Sequence, residues 1–130
     1  MYQAETQNIE VSVESFYLDD QSSPDESYYV WAYRVQISNN GRKTIQVRNR
    51  YWQITDGRGS VQEVHGIGIV GEQPILEPGE SFEYTSGTPL STPSGIMGGK
   101  YEVEGPGGEL FEVAIPTFSL DSPYEPRQLN

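Results

Sequence analysis

A chain of 130 residues with nine Tyr, four Phe and two Trp carries enough apolar and aromatic material for one folded domain, and too little length for two. The absence of cysteine excludes disulfides, thiolate catalysis and soft-metal thiolate sites. A net charge of −11 opposes general attraction to nucleic-acid backbones, and no run reaches the ~18 apolar residues of a membrane-spanning helix.

The opening MYQAETQNIE has neither the basic nor the apolar region of a signal peptide, so a cytoplasmic protein that engages neither membrane nor nucleic acid is expected. Period-two alternation dominates from there on, and helical periodicity is nearly absent. Ile9, Val11 and Val13 alternate with Glu10, Ser12 and Glu14, which predicts a strand with one buried face. DDQSSPDES, residues 19–27, reads as a polar loop broken by Pro24. The run YYVWAYRVQIS then sets Tyr29, Trp31, Tyr33, Val35 and Ile37 on one face. Tyr28, Val30 and Ala32 make the other face partly apolar, with Arg34 beyond them, so Tyr28, Val30 and Arg34 form a candidate partner surface. A loop covering that face is the competing reading.

Asn39, Asn40 and Gly41 turn the chain into TIQVRNRYWQIT. Its buried set begins as Ile45 and Val47 but ends as Trp52 and Ile54, a phase slip that calls for a bulge near Asn49. DGRGS, residues 56–60, marks a hairpin, and VQEV returns from it. Phe82 and Tyr84 alternate in a further strand, before a segment rich in Gly, Ser, Thr and Pro. In the last hairpin, Val103 pairs with Phe111 and Tyr101 with Val113 across GPGGE. IPTFSL continues as an edge, and residues 121–130 read as a flexible tail of a single 1–130 domain. About seven short strands without a helix predict an all-β, immunoglobulin-like or fibronectin type III-like sandwich, with a small barrel as the alternative. The fibronectin label fits better because the immunoglobulin cysteine pair is missing.

Gly66, Gly68 and Gly71 in HGIGIVGEQP spell the G-x-G-x-x-G of a dinucleotide fingerprint. That motif needs a helix after it, and Pro74 and Pro78 forbid one. A structural role is the preferred reading: Ile67 and Ile69 share one strand face, and glycines opposite them let a ring such as Trp52 lie over the backbone, or permit a bulge. The alternative is an anion nest, in which the backbone N–H groups of Gly66, Gly68 and Gly71 hold a phosphate, pyrophosphate or dinucleoside polyphosphate with help from Arg48 or Arg50. Residues 34–58 contain six cations against Asp56, a local balance of +5 that leaves −16 for the remainder. Internal charge complementarity is the simpler account of that basic stripe.

With one histidine, His65, only a carboxylate site for a hard divalent cation is open to this chain. The hairpin register puts Glu102 opposite Glu112 with Glu104 on the same face, a like-charge arrangement that a cation would relieve. A solvated acidic face with Lys100 nearby is the plainer account. No nucleophile elbow or other catalytic constellation is present, which predicts no enzyme and no cofactor.

Taken together, QSSPDESYYVWAYRVQISN, RYWQITDGRG, VHGIGIVGEQP, PGESFEYTSGTPLSTPSGIMGGKYEV and FEVAIPTFSL resemble the ApaG (CorD) family over nearly the whole chain. The family pattern usually places Arg-His before the Trp of the ITD strand, whereas here Arg50 is followed by Tyr51. The resemblance implies a fibronectin type III-like sandwich, bacterial origin, a link to cobalt and magnesium resistance, and a protein-binding module without established catalysis. The expectation is a monomer or weak homodimer that acts on an unidentified protein partner.

Overall fold

Alternation of apolar and polar residues builds nine strands in the computed structural model, which describes residues 1–124. They are β1 (Tyr2–Thr6), β2 (Ile9–Tyr17), β3 (Tyr29–Asn39), β4 (Ile45–Asp56), β5 (Val61–Ile67), β6 (Ile75–Leu76), β7 (Ser81–Leu90), β8 (Gly95–Glu104) and β9 (Leu110–Leu120). The helical content of the described residues is two short 3-10 turns, Asp19–Gln21 and Pro24–Glu26, inside the polar loop. No described helix is long and apolar enough to cross a membrane.

Two antiparallel sheets face each other as a sandwich, one ordered β1-β2-β3-β7 and the other β5-β4-β8-β9, with β6 sharing the outer edge of β4 beside β5. The inward residues of β3 are Tyr29, Trp31, Tyr33, Val35 and Ile37, and all are buried. Across the interior, Tyr33 meets Trp52 edge-on at 5.3 Å between ring centroids, and Trp52 meets Phe118 at 6.1 Å. Such perpendicular pairs add to burial through the ring quadrupoles. One side of the sandwich is sewn shut by β1 and β9: the Tyr2 hydroxyl bonds Ser119 Oγ at 2.8 Å, and Thr6 Oγ1 accepts the Ala114 N–H at 3.2 Å. The opposite side, between β5 and β7, stays open.

The bulge near Asn49 is present, since the β4–β8 register shifts between Val47 and Asn49. It turns Arg50, Trp52 and Ile54 inward, and Asn49, Tyr51 and Gln53 outward. Val103 pairs with Phe111 and Tyr101 with Val113, as the sequence predicts. Several expectations are corrected. Nine strands stand where about seven are expected: β1 and β6 are added and β7 extends through SGTPL, while IPTFSL continues β9 at the sheet edge as expected. Residues 121–124 are docked: Trp31 Nε1 donates to the Asp121 carbonyl at 2.8 Å, and the Tyr124 ring packs edge-on to Tyr17 at 6.1 Å. The remainder of the expected tail, 125–130, lies outside the described residues.

Candidate functional site

The glycine-rich stretch is a tight turn at the end of β5. Ile69 and Glu72 exchange N–H···O bonds of 2.6 and 2.9 Å around Val70 and Gly71, whose φ angles of +50° and +80° mark a type I′ turn. Ile67 and Ile69 therefore do not share a face. Ile67 is 75% exposed, whereas Ile69 is fully buried. Gly68, at φ +67°, donates its N–H to the Arg48 carbonyl at 2.7 Å. A side chain there would also run into the Glu72 backbone.

Trp52 does not lie over these glycines, because the bulge sends it into the core. The Arg50 guanidinium lies over Gly66 instead, in space that a Cβ would fill. Its Nη1 donates to the carbonyls of Ile67 at 3.2 Å and Gly68 at 2.9 Å. Arg48 is engaged as well, through Nε to Glu104 at 3.0 Å and Nη1 to Gln73 Oε1 at 3.3 Å. Gly66, Gly68, Arg48 and Arg50 are thus neighbours, with Gly71 at the turn tip, but Gly68, Ile69, Arg48 and Arg50 are bonded within the protein. The turn directs carbonyls, the wrong polarity for an anion, at its nearest cation.

Next to this turn, the outer face of the larger sheet holds a cleft of about 450 Å³. It is lined by Asn49, Arg50 and Tyr51 of β4, His65, Gly66 and Ile67 of β5, Lys100 and Glu102 of β8, and Glu112 of β9. The Tyr51 ring is its centre. The His65 ring packs 4.8 Å from it, Lys100 Nζ sits 5.6 Å from its centroid, and its hydroxyl donates to Glu63 Oε2 at 3.1 Å. These contacts on three strands fix an aromatic surface without hiding it.

Glu102 does stand opposite Glu112. Each carboxylate nevertheless has its own partner, so no cation is needed to relieve the pair. Asn49 Nδ2 donates to Glu102 at 2.6 Å, Lys100 Nζ bonds Glu112 at 2.6 Å, and Glu104 takes Arg48. The bond to Glu112 raises the Lys100 pKa, since it favours the charged ammonium. Among the described residues no three His, Cys, Asp or Glu side chains gather into a metal-binding group.

The expected surface of Tyr28, Val30 and Arg34 is dismantled by the polar loop. Val30 is buried, its N–H donating to Ser22 Oγ at 2.9 Å and its carbonyl accepting the Leu18 N–H at 2.8 Å. Tyr28 is exposed but lies before β3, bridged to Ser23. Arg34 pairs with Glu14 and lies 5.6 Å from the centroid of Phe16. Arg34 and Arg48 of the basic stripe thus pair with carboxylates of the same chain, whereas Arg50 bonds backbone carbonyls.

On the inner side of β4, Arg50 borders a polar cluster where the sandwich is open. The hydroxyls of Tyr84 and Tyr101 lie 2.5 Å apart. Burial pushes the phenols of Tyr84, Tyr101 and Tyr33 above the usual tyrosine range, with Arg50 pulling weakly the other way.

Sequence reasoning missed Tyr51, His65, Ile67 and Lys100 as one surface. The signal was available, because the phase slip before Trp52 turns Tyr51 outward, and the proposed hairpin register puts Lys100 on the same outer face as Glu102.

Two antiparallel sheets, an aromatic core and a polar-rimmed cleft on one outer face define a fibronectin type III-like β-sandwich domain. A family model described as the ApaG domain matches residues 19–105, and the chain belongs to the ApaG family. It is 62% identical over 130 residues to Protein ApaG of Brucella anthropi and 61% identical to that of Paramagnetospirillum magneticum, covering all of both chains in each case. The crystal structure of an ApaA protein from Bordetella pertussis is similar with a TM-score of 0.87 and 48% identity, over 96% of this chain and 100% of that one.

Proposed function

We propose that this ApaG-family chain is a non-enzymatic binding module that holds a protein partner across the outer face of the β5-β4-β8-β9 sheet. The observation that carries the reading is the cleft around Tyr51, in which an aromatic ring, a histidine, a lysine and an exposed isoleucine are presented together on rigid strands. Aromatic and aliphatic anchors beside a polar rim are the composition of recognition surfaces. Val70 supports it. A β-branched residue at positive φ is strained, yet here it stands 67% exposed at the turn tip beside the cleft, where only a surface role benefits from it. The family's link to cobalt and magnesium resistance then runs through the partner, consistent with Glu102, Glu104 and Glu112 each being bonded within the protein.

The test compares capture by the unaltered chain with capture by Tyr51→Ala and Lys100→Glu, after matched thermal unfolding shows both variants folded. A reproducible protein partner that both variants lose supports the module. Equal capture by all three chains removes the cleft from the reading. The alternative, a small phosphate-bearing anion on the glycine turn, has less support because Gly68, Ile69 and Arg50 are engaged internally. Calorimetry with pyrophosphate decides it: saturable heat that Arg50→Ala abolishes would restore that reading.

A further inference from the structure

We infer that two copies of this chain pair through their β5 strands, antiparallel about a two-fold axis at Val64, joining their larger sheets into one. The inference goes beyond the binding-module reading and stands without it. It starts from the free edges of the sandwich. β1 and β9 are sewn to each other, and β7 carries Gly87 and Pro89, which blunt an edge. β5, VQEVHGI, has neither proline nor lysine and lies at the end of its sheet.

The ladder to β4 dictates how such an edge can pair. Gly68 donates to Arg48, so in the antiparallel alternation residues 62, 64 and 66 direct their N–H and C=O groups at β4, while 61, 63, 65 and 67 direct theirs outward, the Ile67 carbonyl keeping its second lone pair beside the 3.2 Å bond from Arg50. Two β5 edges must therefore match odd residues with odd. A register centred on residue 63 sets Glu63 against its own copy, and one centred on residue 65 does the same with His65. The register centred on Val64 opposes Glu63 to His65 twice and Val61 to Ile67 twice, and it uses the whole strand. Its side chains complement each other, a carboxylate acceptor against an imidazole donor: within one chain Glu63 and His65 Nε2 already approach to 3.8 Å, and pairing alternates them with a second such pair. Val61 and Ile67, 54% and 75% exposed in one chain, would cover each other.

The experiment is sedimentation of the full chain from micromolar to millimolar concentration, joined to amide hydrogen exchange over the same range. The expected result is a monomer–dimer equilibrium in which the amides of residues 61, 63, 65 and 67 gain protection with concentration, while those of 62, 64 and 66 do not change. Glu63→Lys and His65→Glu should each weaken dimerisation about tenfold, and the double exchange should restore it. Both are exposed positions, and thermal unfolding verifies that the variants fold. A chain that stays monomeric at millimolar concentration overturns the inference. So does a dimer that is indifferent to both single changes, one that the double exchange fails to restore, or one whose protection lies outside β5.

Discussion

The Arg50 guanidinium occupies the space in which a side chain on Gly66 would stand, and from there it bonds the carbonyls of Ile67 and Gly68. Gly66→Ala should push the guanidinium away and lower stability by about 1–2 kcal/mol through those charge-assisted bonds. Arg50→Ala should cost about as much, and the double variant less than the sum, because both remove one interaction. Urea midpoints of the four proteins measure the coupling. Gly68→Ala should be worse than Gly66→Ala, since its obstacle is the Glu72 backbone and its φ is positive.

Val70→Asn should stabilise the chain by about 1 kcal/mol, since it turns a strained valine into the Asn-Gly pair that a type I′ turn favours. Thermal unfolding measures the gain. If the turn tip serves recognition, the same variant should hold its partner less well.

Alkaline pH should weaken the fold through its buried phenols. Folding raises the pKa values of Tyr84, Tyr101 and Tyr33 above their ordinary value of about 10, so the unfolded chain loses these protons first and binds fewer than the folded one. Their contribution is intact below about pH 10 and is lost as pH rises through the folded-state values. Urea midpoints taken across this range should fall, and less steeply in a Tyr84→Phe, Tyr101→Phe double variant.

Trp31→Phe should destabilise by about 1–3 kcal/mol, because it strands the Asp121 carbonyl and loosens residues 121–124 over Tyr17 and Tyr29. Loss of exchange protection near residue 121 would accompany the lower midpoint.

Magnesium or cobalt should leave the melting temperature unchanged. Lys100→Ala should lower it instead, by leaving Glu112 unpaired opposite Glu102, and added salt should shrink that difference.

Much of this architecture could be read from alternation, because period two records burial directly. Ile9 to Val13, the inward face of β3, the slip before Trp52 and the register of the last hairpin all follow from it. What escaped depended on contacts distant in sequence. β1 exists because Tyr2 finds Phe118 and Ser119, and nothing local in YQAET declares it. β7 runs on to Leu90 through Gly87 and Pro89 because it is an edge, where a missing donor is tolerated. Val30 reads as surface because the loop over it is polar and carries no periodic signal. GIGIV reads as a strand, and no residue rule warns that Val70 will adopt the left-handed region. The Tyr51 cleft needs sheet order as well as alternation: the slip turns Tyr51 outward, but the cleft's residues come from four strands that only the fold brings together.

The bond between Tyr2 and Ser119 joins positions 117 residues apart. A ribosome delivers the first of these well before the second. β1 must therefore wait without its seam until β9 has emerged, and the two sheets close only then. Without Phe118, the rings of Tyr2, Tyr33 and Trp52 would lack the one neighbour they share, so β9 is the strand that completes the aromatic core.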